Sequence, residues 1–273
     1  MHVLRNTQFM FRTLRLFLPN NRYRRLKRFC DPNYDHGRDK HPVRNKHHGT
    51  EGWMKSTPKD GVTYRDYENY DEYVTHQRQK ILEIIKAQGG FGLKVILRQR
   101  YDFWKRFRDL DLPFDARILC LGARFGTEVE VLRDLGYINA QGTDLEPGPE
   151  NPYVVTGDFM AIDAETSSVD MIYSNAVDHA FDLRKFLAEH ARVLKPQGLA
   201  IYDISMIPPG PFEAVDWGEA RNLYIMMLEP FADIENVTID GSWKTIRLRG
   251  KSAKSVTKPN AAGYGQHASG TTA

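Results

Sequence analysis

Cysteine is scarce. Cys30 and Cys120 are the only two among 273 residues, too few for a disulfide-stapled or zinc-ribbon fold, so a reducing, cytoplasmic setting is expected. Long uncharged apolar runs are also missing. No stretch approaches the roughly 18–20 residues that cross a bilayer, which leaves no candidate for a membrane-spanning helix. Acidic side chains are absent from positions 1–30. Residues 1–48 hold twelve Lys/Arg against three Asp, a local +9 that a −6 remainder offsets, so the net charge of +3 averages two unlike parts. What is present is enough for a folded body: 41% apolar and 11% aromatic residues can fill one substantial core or two small ones.

In the basic head, Val3, Leu4, Met10, Phe11, Leu14, Phe17 and Leu18 fall within one helical arc of roughly 140°, with Arg5, Arg12 and Arg15 beside it. Pro19 closes the segment, and a second basic cluster runs from Arg22 to Arg28. Three readings stand open for residues 1–30: an interfacial helix on an anionic membrane surface, making the protein peripheral there, an Arg-rich transit peptide, or a helix docked on the body. Nucleic acid is not an expected partner, because these residues pattern as an amphipathic helix more than as a stacking groove. Residues 31–66 read as a polar linker. Its His36, His41, His47 and His48 match no recurring ligand spacing, so no metal is expected.

Residues 67–112 read as a helical cap. Tyr73, Val74, Gln77, Ile81, Ile84 and Ile85 recur at helical spacing, then Leu93, Ile96, Leu97, Tyr101, Trp104, Phe107 and Leu110 do so after a glycine break. On the second helix Lys94, Arg98, Lys105, Arg106 and Arg108 are expected to stay solvated. Tyr70, Tyr73 and Gln77 share one side by the i, i+3, i+7 rule, as a lid over a cleft or plain helix packing would require.

After Pro113 the pattern becomes strand, turn, helix, strand. Ile118–Leu121, Ala140–Asp144, Tyr153–Thr156, Val169–Ser174 and Leu199–Ile204 are strand candidates, with helices at Glu128–Leu135 and Leu183–Val193. This alternation predicts an α/β fold: a doubly wound, mostly parallel, Rossmann-like sheet with ligands at the carboxyl ends of its strands. Ala232–Asp240 and Trp243–Arg249, joined by Gly241–Ser242, predict a C-terminal antiparallel hairpin. The core therefore spans 113–250 behind an N-terminal helical extension, and 251–273 reads as a disordered tail.

The informative string is ILCLGARFG at 118–126, a strand running through a glycine turn into a helix, which aims backbone N–H groups at the mouth of the sheet. Asp144 ends the second strand, where a carboxylate can accept both hydroxyls of a ribose. Asp158–Phe159 follow the third strand and offer an acceptor and a ring face. VDMIYSNAVDHAFD at 169–182 is a fourth strand entering a polar loop, and RVLKPQGLAIYDIS at 192–205 supplies a helix, a turn and a fifth strand.

On these strings residues 118–205 resemble the S-adenosylmethionine-binding half of a class I methyltransferase, in the branch of small-molecule, lipid and sugar methylases. The resemblance implies S-adenosyl-L-methionine as cofactor. Gly122, Ala123, Arg124, Phe125 and Gly126 would wrap its methionine part, Asp144 with the adjoining Leu145 would hold the ribose, and Asp158 and Phe159 the adenine. Asn175 would lie beneath the sulfonium. Acceptor-side chemistry would fall to His179 as a base beside Asp178. The acceptor would be a glycan, lipid or other small molecule, methylated at oxygen.

Two departures from the family's pattern stand out. The family commonly has an acid where Cys120 stands and a glycine where Arg124 stands. Glu128 could replace the acid or simply favour the helix dipole, while Arg124 could pair with the cofactor's carboxylate. A degenerate methyltransferase fold used as a binding scaffold is the alternative these departures raise. A nicotinamide-dependent oxidoreductase is a weaker one, since the turn lacks G-x-G-x-x-G.

Overall fold

The computed structural model describes residues 58–88, 93–147, 152–205, 207–240 and 243–251. The basic segment 1–30, the histidine cluster, most of the 31–66 linker, the Gly241–Ser242 turn and the tail from 252 lie outside the described residues. In chain order the elements are β1 (Thr63–Tyr64), α1 (Tyr70–Gln88), α2 (Leu93–Phe107), β2 (Ile118–Leu121), α3 (Thr127–Asp134), β3 (Ala140–Asp144), β4 (Val154–Thr156) and β5 (Val169–Ser174). A short 3-10 turn at Val177–His179 precedes α4 (Leu183–Val193), β6 (Leu194–Ser205), β7 (Val215–Asp216), α5 (Ala220–Leu228), β8 (Phe231–Asp240) and β9 (Trp243–Gly250).

Burial explains why the central strands read as unbroken apolar runs. In β2 every residue is buried, Ile118 and Cys120 in one apolar cluster, Leu119 and Leu121 in the other. β5 repeats the alternation, with Met171 and Tyr173 on the first side and Ile172 on the second. Strands covered on both faces belong at the centre of a parallel sheet. β2 pairs in parallel with β3 and β5, β3 with β4, and β5 with β6. β9 then pairs antiparallel with both β6 and β8, giving a seven-stranded order of β4-β3-β2-β5-β6-β9-β8. The order reverses at β2/β5, so the carboxyl ends of those strands open a crevice.

Local chemistry sets the flanking helices. Asp182 caps α4 by accepting the Lys185 N–H at 3.0 Å, and Phe186, Leu187 and His190 turn inward. α2 buries Phe103 and Phe107 against Tyr173 and is tied to α3 by Arg100, which meets Glu130 and Asp134. Arg106 corrects the reading of α2's charged side. Its side chain is only 13% exposed and pairs with the buried Asp203, because it lies one turn from Phe103 and next to Phe107, the residues by which α2 meets the sheet.

Two elements had no expectation. α5 buries Leu223, Met226 and Met227 but leaves Ile225 and Leu228 exposed, which blurs its apolar stripe. β1 pairs antiparallel with β7 as Thr63↔Asp216 and Tyr64↔Val215, too short for any periodicity to show. β6 also starts earlier than Leu199, since Leu194 already pairs with Val169 across an irregularity.

Candidate functional site

The crevice at β2/β5 is a cavity of about 280 Å³, at the small end for a ligand site. Its floor is the turn after β2. Gly122 has φ +76°, and a Cβ there would lie 2.6 Å from Ala176 Cβ, so the backbone is bare because nothing else fits. Gly126, at φ 67°, ends the turn as the N-cap of α3. Between them Arg124 also sits at positive φ, 43°, in the region glycine favours. Holding a non-glycine residue there costs about 1–3 kcal/mol, a strain that clusters at functional sites.

Asp144, at the end of β3, fastens this turn. Its Oδ2 accepts the Arg124 backbone N–H at 3.0 Å and its Oδ1 accepts that of Glu146 at 2.9 Å. Burial pushes its carboxyl up, while the Arg124 guanidinium and those N–H groups pull it down. Each oxygen keeps a lone pair for another donor.

A cation and an acid of the same cavity, Arg124 and Glu128, make no ion pair among the described residues. The Nε of Arg124 is buried with no hydrogen-bond acceptor. Glu128 is 5% exposed, and among the described residues its carboxyl meets no cation at ion-pair distance. Burial pushes it up to about 8, with Asp144, Glu130 and Asp203 adding to the rise. Burial raises the Cys120 thiol, and the nearby Glu128 carboxyl adds to the rise. A buried guanidinium with an orphan Nε and a buried acid whose carboxyl is bonded to its own backbone N–H suit a zwitterion such as the amino-acid end of S-adenosylmethionine.

Gly122, Ala123, Arg124, Phe125, Asp144 and Leu145 line the cavity, together with Phe159, Asn175, Asp178 and His179. Gly126 and Asp158 do not. Asp158 sits at the rim, where Oδ2 accepts the Tyr70 hydroxyl at 2.7 Å and Oδ1 the Met160 N–H at 2.7 Å.

The cap contributes more. Tyr73 donates to the His179 carbonyl at 2.9 Å and Gln77 Nε2 to the Phe212 carbonyl at 2.8 Å, so the 70/73/77 side of α1 faces the site. Arg65 donates to the carbonyls of Gly210 and Glu213, and Ala214 N–H to that of Asp178. Thus β1, α1 and segment 210–216 form a strap over the crevice.

His179 departs from a freely titrating base. Its Nδ1 lies 3.0 Å from the Phe212 carbonyl, which places the ring proton there. Its Nε2 accepts from Lys80 Nζ. Burial, then the Lys80 and Arg124 charges, drives it well below the ordinary histidine range. Sequence reading missed Lys80 and Glu213, which also line the cavity. Lys80 was within reach, because position 80 continues the 70, 73, 77 series by one more step of three; Glu213 lies in a loop without periodicity.

Comparison with known proteins agrees with this geometry. Residues 119–202 match the methyltransferase domain family. A chain of the complex formed by the Haloferax volcanii Trm112 methyltransferase activator superposes with a TM-score of 0.52 at 15% identity, covering 64% of this chain and 97% of that one. The Burkholderia thailandensis 1,6-didemethyltoxoflavin-N1-methyltransferase, whose structure holds 1,6-didemethyltoxoflavin and S-adenosylhomocysteine, superposes with 0.51 at 14% identity, covering 70% of this chain and 95% of that one. No curated protein matches the sequence. Residues 119–202 thus carry a methyltransferase domain, set within the seven-stranded sheet described above.

Proposed function

We propose that this chain methylates a small acceptor, a glycan, lipid or other metabolite, at oxygen, with its cofactor held by residues that differ from the family's pattern. The observation that carries the cofactor assignment is this cation and acid in one cavity, neither held in an ion pair. Arg124 Nε would take the cofactor's carboxylate and Glu128 its ammonium, the role Cys120 cannot fill. Gly122–Gly126 let that end lie against the backbone, Asp144 and Leu145 take the ribose, Phe159 with Asp158 the adenine, and Asn175 lies beneath the sulfonium. Bound there, the cofactor supplies an electrophilic methyl group. The chain's own work is to hold the acceptor in line with it and keep water out, and orientation of this kind can supply most of an acceleration. Asp178 and His179 border the acceptor side.

Titration calorimetry with S-adenosylmethionine and S-adenosylhomocysteine tests the cofactor assignment. Glu128 is largely protonated at pH 7 in the free protein; an ammonium beside it lowers its pKa, so binding should release close to one proton. Glu128→Gln should remove that release and weaken binding by about tenfold. No heat with either ligand, or equal proton release by wild type and variant, would overturn it.

The acid-free segment 1–30 supports a second contact, an anionic lipid surface. Deleting it should leave cofactor affinity unchanged and weaken sedimentation with phosphatidylserine vesicles; equal sedimentation would remove the membrane contact.

A further inference from the structure

Four groups meet on the acceptor side without a role in holding the cofactor: Lys80 from α1, Asp178 and His179 from the turn after β5, and Glu213 from the strap. Asp178, His179 and Glu213 present polar atoms within 4.8 Å of one another, and the Lys80 ammonium is the charge that meets them. His179 is committed at both nitrogens, to Phe212 and to Lys80. It has no lone pair left for an acceptor. Lys80 does, because a neutral amine can donate one N–H to His179 and still offer its own lone pair, and Lys80 lines the cavity.

We propose that Lys80 is the group that takes the acceptor's proton, that His179 positions it, and that the acceptor is a planar, weakly acidic hydroxyl compound of phenol or enol type. The inference rests on the methyltransferase reading and deepens it. The acceptor's O–H proton passes to Lys80 Nζ as its oxygen bonds to the methyl carbon of S-adenosylmethionine. The C–S electron pair stays on sulfur, giving a methyl ether, S-adenosylhomocysteine and a lysine ammonium. That ammonium is received by Asp178 and Glu213.

Charge and shape support the acceptor class. Burial and the Arg124 guanidinium lower the Lys80 amine to about 8, while Asp178, Glu213 and Asp144 hold it from falling further. His179 and His76 also face this cluster, His76 from α1 by stacking on Phe212. An amine in that range suits a phenol, whose pKa is about 10, far better than an aliphatic sugar hydroxyl. Tyr73 and Trp243, which hold no part of the cofactor, give the cavity flat walls.

The test uses full-length protein, whose binding of S-adenosylhomocysteine and then of the probe 2-naphthol is read by calorimetry before turnover is followed across pH. Turnover of 2-naphthol by wild type should rise with pH through about 8, and Lys80→Met should bind S-adenosylhomocysteine within about threefold of wild type yet lose that rise. In turnover with S-adenosylmethionine and 2-naphthol, Lys80→Met and Lys80→Arg should both lose about 10²–10⁴-fold in kcat. Arg keeps the charge but cannot take a proton. His179→Gln, which can still accept from Nζ, should retain more activity than His179→Ala.

Failure of 2-naphthol to bind, a pH rise that survives Lys80→Met, or near wild-type turnover by Lys80→Arg would each overturn the inference. Failure of S-adenosylhomocysteine to bind wild type would instead overturn the cofactor assignment.

Discussion

Asp203→Ala is expected to lower stability by about 3–5 kcal/mol, the scale of removing one partner from a buried ion pair. Asp203 is 3% exposed and serves three donors. The Arg106 guanidinium pairs with it, Tyr173 donates to Oδ2 at 2.8 Å, and Thr245 to Oδ1 at 2.5 Å. These come from α2, β5 and β9, so one carboxylate joins a helix to both halves of the sheet. Its loss takes from the Arg106 Nε and the Tyr173 hydroxyl the acceptor they share, which is where the destabilisation originates. A double variant that also replaces Arg106 with leucine should recover much of the loss, since apolar side chains often substitute for a buried pair without penalty. Urea unfolding of the four-member cycle measures the coupling. A single-variant loss below about 1 kcal/mol would show that this network contributes little.

Asp144→Ala is expected to weaken S-adenosylmethionine binding by roughly 10²–10⁴-fold. Two ribose hydroxyls on an ionised acceptor contribute about 1.5–3 kcal/mol each. The carboxylate also holds the Arg124 and Glu146 backbone N–H groups, so its removal frees the turn that presents Arg124. Asp144→Asn keeps an oxygen acceptor and should fall between wild type and Ala. Calorimetry reads the affinities, and unfolding of the unliganded proteins separates binding from folding. Affinity of Asp144→Ala within threefold of wild type would mean that the ribose lies elsewhere.

The sheet was legible because its strands are apolar runs bounded by turn residues, and runs such as Ile118–Leu121 and Val169–Ser174 have few other uses. The turn after β2 was legible for a related reason: only glycine tolerates the approach that Ala176 forces on Gly122. Side-chain identity at the site was harder to read. Arg106 has the sequence context of a solvated helix face, and only the tertiary placement of Asp203 reveals why it is buried. His179 looked like a base from its residue type. Its state is set by Lys80, 99 positions earlier in the chain, and by a carbonyl 33 positions later, neither of which a local motif contains. Glu128 shows the reverse case, since its place in the first turn of α3 suggested the helix dipole while its burial beside Cys120 points to a ligand.

The strap over the crevice bears on the rate of turnover. Within it β1 meets β7 over two residue pairs, and segment 210–214 is held by three hydrogen bonds from Arg65, by one each from Gln77 and His179, and by the Ala214 N–H on the Asp178 carbonyl. Release must also draw Val62, Tyr73 and Val215 out of the apolar cluster they share with Ile172 and Tyr202 of the sheet, which makes opening slow. Because Lys80 rides on α1, each release would carry the proton-accepting group away from the acceptor. The enzyme would then be chemically competent only while closed, and the frequency of opening, rather than the displacement itself, would set the ceiling on kcat.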